Sequence, residues 1–110
     1  MRNDKIEYIL CAAIWYKTIP MKRIIPGVLP KNCDKGLVVL GHRHGQCIWT
    51  TAALTGLRTC THAEDATGES EQGFLTNKNR FVNREEGAQI AFKAGQINEE
   101  IKTLYSEDLY

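Results

Sequence analysis

The segment Gln72–Ala88 constrains the fold more than any other part of the sequence. It predicts a strand, a tight turn, a second short strand and the start of a helix. Asn77 and Asn79 favour the turn, because short polar side chains tolerate the backbone angles that turns need. Asn83 is a good helix N-cap, and Glu86 follows three residues later, as in a capping box. This segment therefore builds sheet and helix into one compact element.

Further strands are indicated by short apolar runs. Residues 6–16 form an apolar and aromatic run that favours a strand, and Leu37–Leu40 reads as a buried strand ended by Gly41. A shorter strand is predicted at Met21–Ile25, between two prolines.

Two helices are predicted, at about 45–55 and 83–94, because apolar or small residues recur there at helical spacing. Gly56 and Gly95 are suited to end them, and 97–104 reads as a further helical turn or two. The predicted fold is a single small domain over residues 1–110. It is of the α/β (α+β) class, with a mostly antiparallel sheet and two main helices packed on it.

Two other segments are expected to be irregular. Residues 58–70 lack periodicity and predict a long loop with one edge strand at most. The tail, residues 104–110, is rich in leucine and tyrosine, so we expect it to dock on the body of the protein. Glu107 and Asp108 would then need partners, either arginines of the protein or hydroxyl groups of a ligand.

The composition argues against several classes of function. A net charge of +1 gives no electrostatic case for binding DNA, RNA or a membrane. No apolar run approaches the roughly 20 residues of a membrane helix, and no signal peptide is seen, so a cytoplasmic location is expected. We expect the cysteines to be free thiols, two or three of them in the core: Cys11, Cys33, Cys47 and Cys60.

Candidate ligand-binding residues gather near two predicted helix starts. His42, Arg43 and His44 follow a buried strand, a position at which α/β proteins bind ligands. Arginine there can bind a phosphate through two parallel hydrogen bonds, and histidine can add a hydrogen bond or stack on a ring of the ligand. Near the second helix, Arg84 and Phe74 offer a fixed charge and an aromatic face, which suits a phosphate beside a flat ring.

A zinc or thiol enzyme is an alternative built on nearby residues. His42 and His44 would share one strand face, and Cys47, Cys60 and His62 could add ligands. The usual zinc spacings, the deaminase pattern, phosphate-binding glycine loops and a nucleophile elbow are all absent from the sequence. We therefore predict no catalytic residues, no metal site and no enzymatic activity. A nucleotide-processing enzyme and an inhibitor that binds a host protein stay open as alternatives.

The chain resembles the first family of Thoeris anti-defence proteins, phage "sponges" that sequester cyclic ADP-ribose signals. The resemblance covers nearly the whole chain, and the tail is its most specific part. It rests on six motifs: Ala12–Tyr16, Gly41–His44, Glu71–Thr76, Arg80–Glu86, Ala94–Gln96 and Leu104–Leu109.

The resemblance implies a compact protein that forms dimers or larger oligomers, up to hexamers, and that has no cofactor. Members of the family bind a cyclic ADP-ribose isomer made by a bacterial TIR enzyme and do not cleave it. Some relatives also hold cyclic di- or trinucleotides at a separate site.

The resemblance also implies roles for particular residues. Phe74 would stack on adenine, while Arg43 and Arg84 would face the pyrophosphate. Five further residues would meet polar groups or hold the pocket shut: Asn83, Gln96, Ser106, Glu107 and Asp108. The complete predicted ligand-binding set is His42, Arg43, His44, Phe74, Asn83, Arg84, Gln96, Ser106, Glu107 and Asp108.

Overall fold

The protein folds around a four-stranded antiparallel sheet with two helices. The computed structural model describes residues 5–56 and 69–110. In chain order its elements are β1 (Ile9–Tyr16), β2 (Leu37–Gly41), α1 (His44–Thr55), β3 (Ser70–Thr76), β4 (Phe81–Asn83), α2 (Arg84–Lys93) and a 3₁₀ helix (Ser106–Asp108). The strand order is β2-β1-β3-β4, and each neighbouring pair is antiparallel. The predicted α+β class and both predicted helices are therefore confirmed.

One face of the sheet is the packing surface for the helices. Ala12, Phe74 and Val82 are direct partners across β1, β3 and β4, and all three are almost completely buried. Directly opposed residues share a face of the sheet, so this row forms part of the core beneath the helices. Gly87 and Ala91 of α2 are buried, as the predicted stripe of small residues requires. A Cβ atom on Gly87 would come within 3.0 Å of the Phe74 ring, so α2 lies very close to the sheet.

The other face of the sheet is covered by the segment between β1 and β2. Cys33 packs there with Phe81 and Ala13. The side chain of Asn32 holds the segment in place, since its oxygen accepts from Phe81 N at 2.8 Å and its nitrogen donates to Phe81 O at 2.7 Å. The sheet thus has a helix face and a loop face.

The strand predicted at Met21–Ile25 is wrong. These residues belong to the loop that covers the sheet and have no strand partner among the described residues. Apolar content alone suggested a strand, but Ile24 is 83% exposed and contributes nothing to the core.

The turn and the helix start predicted within Gln72–Ala88 are confirmed. Asn79 adopts a φ of 58°, and Thr76 N donates to Arg80 O at 3.0 Å to close the turn. The side chain of Asn83 caps α2 by accepting from Glu86 N at 2.8 Å. The Glu86 carboxylate accepts from Arg80 Nη2 at 3.1 Å, whereas a full capping box would return it to the Asn83 amide.

The helix predicted to continue through 97–104 is absent. Gly95, with a φ of 75°, follows the end of α2. Gln96 then reaches β1, where its side chain accepts from Ile9 N at 2.7 Å and donates to Ile9 O at 2.8 Å. Isoleucines of the following segment still pack on the core, but from irregular backbone.

Two predictions from composition concern free cysteine thiols and the absence of a membrane-spanning helix. Cys11, Cys33 and Cys47 are free thiols; the latter two are buried, and burial raises the pKa of each to about 11. Cys60 lies outside the described residues, as does most of the predicted loop at 58–70. Neither helix in the described part of the chain has the length and apolar character needed to cross a membrane.

Candidate ligand-binding site

Two arginines mark the starts of the two helices. Arg43 immediately precedes α1, and Arg84 is the first residue of α2. Cys47 of α1 packs in a cluster with Ala12, while α2 packs on Phe74, the direct partner of Ala12. Both helices, and the arginines that introduce them, therefore lie on one face of the sheet.

The C-terminal tail, residues 104–110, connects the two helix starts. At one end, Leu104 is fully buried and its N–H donates to Arg84 O at 3.0 Å. At the other end, the Tyr110 hydroxyl donates to His42 O at 2.8 Å, and the two rings stack with centroids 4.4 Å apart. The predicted docking of the tail is confirmed.

Each arginine lies against a tyrosine of the tail. The guanidinium carbon of Arg84 is 4.5 Å from the centroid of the Tyr105 ring, and that of Arg43 is 5.3 Å from the centroid of Tyr110. Such cation–π contacts hold a guanidinium in place through its flat face and leave its N–H donors at the edge.

The hydrogen-bond donors of both arginines are only partly used. Arg84 Nη2 donates to the side-chain oxygen of Gln72, and Arg43 Nη2 donates to the main-chain oxygen of Tyr110. In both side chains, Nη1 is buried and has no hydrogen-bond partner in the described structure. An unpaired buried donor costs about 1–3 kcal/mol, and more when charged, so an oxyanion that accepted from these atoms would relieve that cost.

His44 is buried beside the arginines, with its ring nitrogen Nε2 2.7 Å from Gly73 O. A carbonyl oxygen only accepts, so Nε2 carries the proton and Nδ1 of the neutral ring is an acceptor. Burial lowers the pKa of His44 below its ordinary value of 6.5, and the charge of Arg84 lowers it further. The bond to Gly73 and the charge of Glu107 oppose this shift. At pH 7 we therefore expect a neutral His44.

Phe74 lies beneath this group of side chains. It has no exposed surface, and the His44 ring meets it edge-on, with centroids 5.1 Å apart and planes at 79°. The ring also packs with Val82 and Leu104 in the core. In the single described chain, Phe74 therefore has no free face for the base that it was predicted to stack on.

Three other residues of the predicted set make structural contacts. Asn83 caps α2, Gln96 holds the main chain of Ile9, and the Asp108 carboxylate accepts from Tyr105 N at 2.9 Å. Gln96 and Asp108 also line a groove of about 300 Å³ whose lining does not include the two arginines.

The last two members of the set lie in the tail. Ser106 is buried, whereas Glu107 is exposed on the 3₁₀ helix, and its charge reaches His44. Among the described residues, no ion pair joins Glu107 or Asp108 to an arginine. Arg80 pairs instead with Glu7 and Glu86.

Sequence reasoning missed the tyrosines as site residues. Tyr105 and Tyr110 were expected to help dock the tail, not to position arginines. Gln72, the partner of Arg84, was also missed. The signal that could have found them is that both tyrosines lie in the most specific of the matching motifs or next to it.

The structure describes three of the five residues proposed as zinc ligands: His42, His44 and Cys47. Within residues 5–56 and 69–110, no group of three or more His, Cys, Asp or Glu side chains could hold a metal ion. Cys47 is buried in the core, and His44 is bound to Gly73. Cys60 and His62 lie outside the described residues.

Taken together, the fold and the site define a small α+β protein in which a docked tail places one tyrosine against each of two arginines at the helix starts. The chain belongs to the Phage T4 y16D protein family, whose model matches residues 8–110, and is thus a member of a family of phage proteins. No curated protein and no solved structure matches the chain.

Proposed function

We propose that this protein binds a cyclic ADP-ribose isomer at Arg43 and Arg84 and sequesters it without cleaving it. The observation that carries the proposal is the pair of buried Nη1 atoms, one on each arginine, that lack a partner among the described residues. The identity of the ligand comes from the resemblance to anti-Thoeris sponges alone, while the family match adds that the chain is a phage protein. The protein would act in the cytoplasm of the infected bacterium, where it would withdraw the immune signal from its effector.

The charges at the site match a pyrophosphate. Two permanently charged guanidinium groups oppose two negative charges, and each can donate charge-assisted hydrogen bonds to phosphate oxygens. The tyrosines hold both guanidinium planes in place before the ligand arrives, so less conformational entropy is lost on binding. A neutral His44 leaves the arginines as the positive charges that meet the ligand.

Tyr105 is the ring best placed to receive the adenine. Its residue surface is 51% exposed, whereas Phe74 is completely buried. Arg84 covers one part of the Tyr105 ring, and the remaining surface is open to a base. Stacking of one base on an aromatic ring contributes about 1–3 kcal/mol, so Tyr105 would supply the contribution that the resemblance assigned to Phe74.

Sequestration sets the affinity that the site must reach. The protein competes with an effector that reads the same signal, so nanomolar binding, or about −12 kcal/mol, is the expected scale. Tight binding alone fulfils this function, and the proposal assigns no bond-breaking step to any residue.

The test is capture followed by release. The protein is incubated with the cyclic ADP-ribose isomer, separated from free ligand by filtration and then denatured by heat. Mass spectrometry of the supernatant is expected to find intact ligand in proportion to the protein. Degraded ligand would indicate an enzyme, and absence of uptake would refute binding.

Arginine variants connect capture to the site. Arg43→Gln and Arg84→Gln are each expected to weaken binding by roughly tenfold or more, since each removes a charged donor. Arg23→Gln is the matched control, because Arg23 is an exposed arginine in the loop between β1 and β2. Equal capture by all three variants would place the ligand elsewhere.

A further inference from the structure

The loop between β1 and β2 contains a tight turn at Ile25–Val28. Val28 N donates to Ile25 O at 3.3 Å, and Gly27 takes a φ of 84°. A proline followed by a residue with positive φ is the arrangement of a type II turn. Proline fixes its own φ and glycine accepts the positive φ without strain, so the sequence of the turn sets its shape.

Large aliphatic side chains are exposed at this turn. Ile24 is 83% exposed, Ile25 49% and Val28 54%. The next residues of the loop point inward instead, since Leu29 packs against the buried cluster of the loop face and Cys33 belongs to it. The loop is therefore anchored on the sheet by one group of residues while it presents a second apolar group to the outside.

The exposed apolar surface continues from the turn onto β2. Leu40 is 45% exposed, and it lines a small cavity of about 60 Å³ together with Val28 and Asn79. A cluster of exposed aliphatic side chains of this kind marks a surface that contacts another molecule. We call it the apolar patch, and it consists of Ile24, Ile25, Val28 and Leu40.

Basic side chains surround the apolar patch. Lys31 N donates to Asn79 O at 2.8 Å, which brings the loop beside the turn between β3 and β4. Residues 21–36 contain four basic residues and one acidic residue, whereas the net charge of the whole chain is only +1. The net charge thus hides a local positive excess. Four exposed residues form this basic rim: Lys22, Arg23, Lys31 and Lys78.

An apolar patch with a basic rim matches the surface of an anionic lipid bilayer. Aliphatic side chains enter the boundary between headgroups and acyl chains, while lysine and arginine stay with the lipid phosphates. The main chain of the turn loses little on leaving water, because Pro26 has no N–H and the N–H of Val28 is already bonded. A protein partner would need a pocket shaped for Ile24, whereas a bilayer deforms around it.

We propose that this loop docks the protein on an anionic membrane surface, with the apolar patch in the interface and the basic rim on the headgroups. The patch lies on the loop face of the sheet. Both helices and the two site arginines lie on the opposite face, so docking leaves the candidate ligand site open. The inference does not depend on the identity of the ligand.

The test is sedimentation of the full chain with large unilamellar vesicles. One set is made of phosphatidylcholine alone and the other of phosphatidylcholine mixed with phosphatidylglycerol, and a sample without vesicles controls for aggregation. The wild type is expected to sediment with the anionic vesicles only and to be released by high salt, which screens the charges. A wild type that stays in the supernatant with anionic vesicles would overturn the proposal, as would equal binding to the neutral ones.

An apolar variant connects vesicle binding to the patch. Ile24→Ser is expected to weaken binding to anionic vesicles by roughly tenfold, because an aliphatic side chain no longer enters the interface. Leu54→Ser is the matched control: Leu54 is 73% exposed but belongs to α1, on the helix face of the sheet, so this variant should bind as the wild type does. Equal binding by the wild type and both variants would contradict the proposed contact.

A charge variant tests the basic rim. Lys22→Gln combined with Lys31→Gln is expected to weaken binding by roughly fivefold for each charge removed. Lys93→Gln combined with Lys102→Gln is the matched control, because it removes the same charge at exposed lysines on α2 and beyond it. Circular dichroism checks that each variant is folded. An equal loss in both double variants would show attraction by net charge alone and would refute docking through the loop.

Discussion

Arg84 lies over the ring of Tyr105, with its guanidinium carbon 4.5 Å from the ring centroid. The same residue accepts Leu104 N at its main-chain oxygen, so Arg84 holds the tail through both its side chain and its backbone. This contact fixes an exposed aromatic ring next to a cation that still has an unused donor. Tyr105 is exposed whereas Phe74 is buried, so substitutions at these two rings separate binding from folding.

Tyr105→Ala is expected to weaken ligand binding by about 1–3 kcal/mol, because the base loses its stacking surface. The free energy of unfolding should change much less, since half of the residue is already exposed. Isothermal titration calorimetry and urea denaturation measure the two effects. Tyr105→Phe is the control and should retain the affinity; an affinity unaltered in Tyr105→Ala would show that another ring meets the base.

Phe74→Ala is expected to act on folding instead. The ring is completely buried at the centre of the core, and truncation of a buried phenylalanine typically costs about 3–5 kcal/mol. Urea denaturation should show this loss directly. If the variant kept the stability of the wild type and lost only ligand affinity, the ring would be a binding surface after all, as the sequence suggested.

His44 should make stability depend on pH. Its pKa is lower in the folded protein than the ordinary value of 6.5, so the unfolded chain binds more protons in the interval between the two values. The contribution of His44 to the free energy of unfolding is therefore fully present above about pH 6.5, and it is lost as the pH falls through that interval. Denaturation series at several pH values between 7.5 and 5 would measure the slope.

A histidine variant isolates this contribution. The glutamine of His44→Gln cannot titrate, so the free energy of unfolding of this variant should vary less with pH over the same range. The variant also loses the histidine bond to Gly73, so its free energy of unfolding at pH 7.5 should be lower than that of the wild type. His42→Gln is the matched control, because His42 is an exposed histidine one residue before Arg43. Parallel slopes for the wild type and His44→Gln would mean that other groups cause the pH dependence.

Asn83→Ala should remove the N-cap of α2. Its side chain accepts from Glu86 N at 2.8 Å, and loss of such a cap costs about 0.5–2 kcal/mol. Urea denaturation measures the change. Asn98→Ala, at an exposed position in the irregular segment after α2, is the control and should be nearly neutral. A neutral Asn83→Ala would contradict the assignment of this side chain to structure.

The sequence predicted the elements whose signals are local. The hairpin and helix start within Gln72–Ala88 depend on turn residues and a cap, and both were placed correctly. The strand at Met21–Ile25 and the helix through 97–104 failed because their signals were apolar residues alone. Sequence alone does not reveal that the first segment lies outside the sheet, or that Gln96 bonds across to Ile9.

In the candidate site too, the sequence predicted local features but not tertiary contacts. The positions of Arg43 and Arg84 at the two helix starts could be predicted, because the sequence marks both starts. Which aromatic ring accompanies them could not, because it depends on which face of β3 the helices cover. That face carries Phe74, so the ring is buried, and the exposed tyrosines come from a tail whose path is a tertiary property.

Gly73→Ala should prevent β4 from pairing with β3 and should thereby displace Arg84. A Cβ at this position would lie 2.0 Å from Val82 O, which is main chain and cannot move unless β4 leaves β3. Because Arg84 follows β4 directly, we expect loss of both cooperative unfolding and ligand capture. Gly45→Ala is the matched control in α1, where a Cβ meets nothing within 4 Å, and should stabilise the protein by about 0.5–1 kcal/mol. Thermal denaturation of both variants tests the pairing of β3 with β4, and a Gly73→Ala protein with wild-type stability would show that this pairing is looser than described.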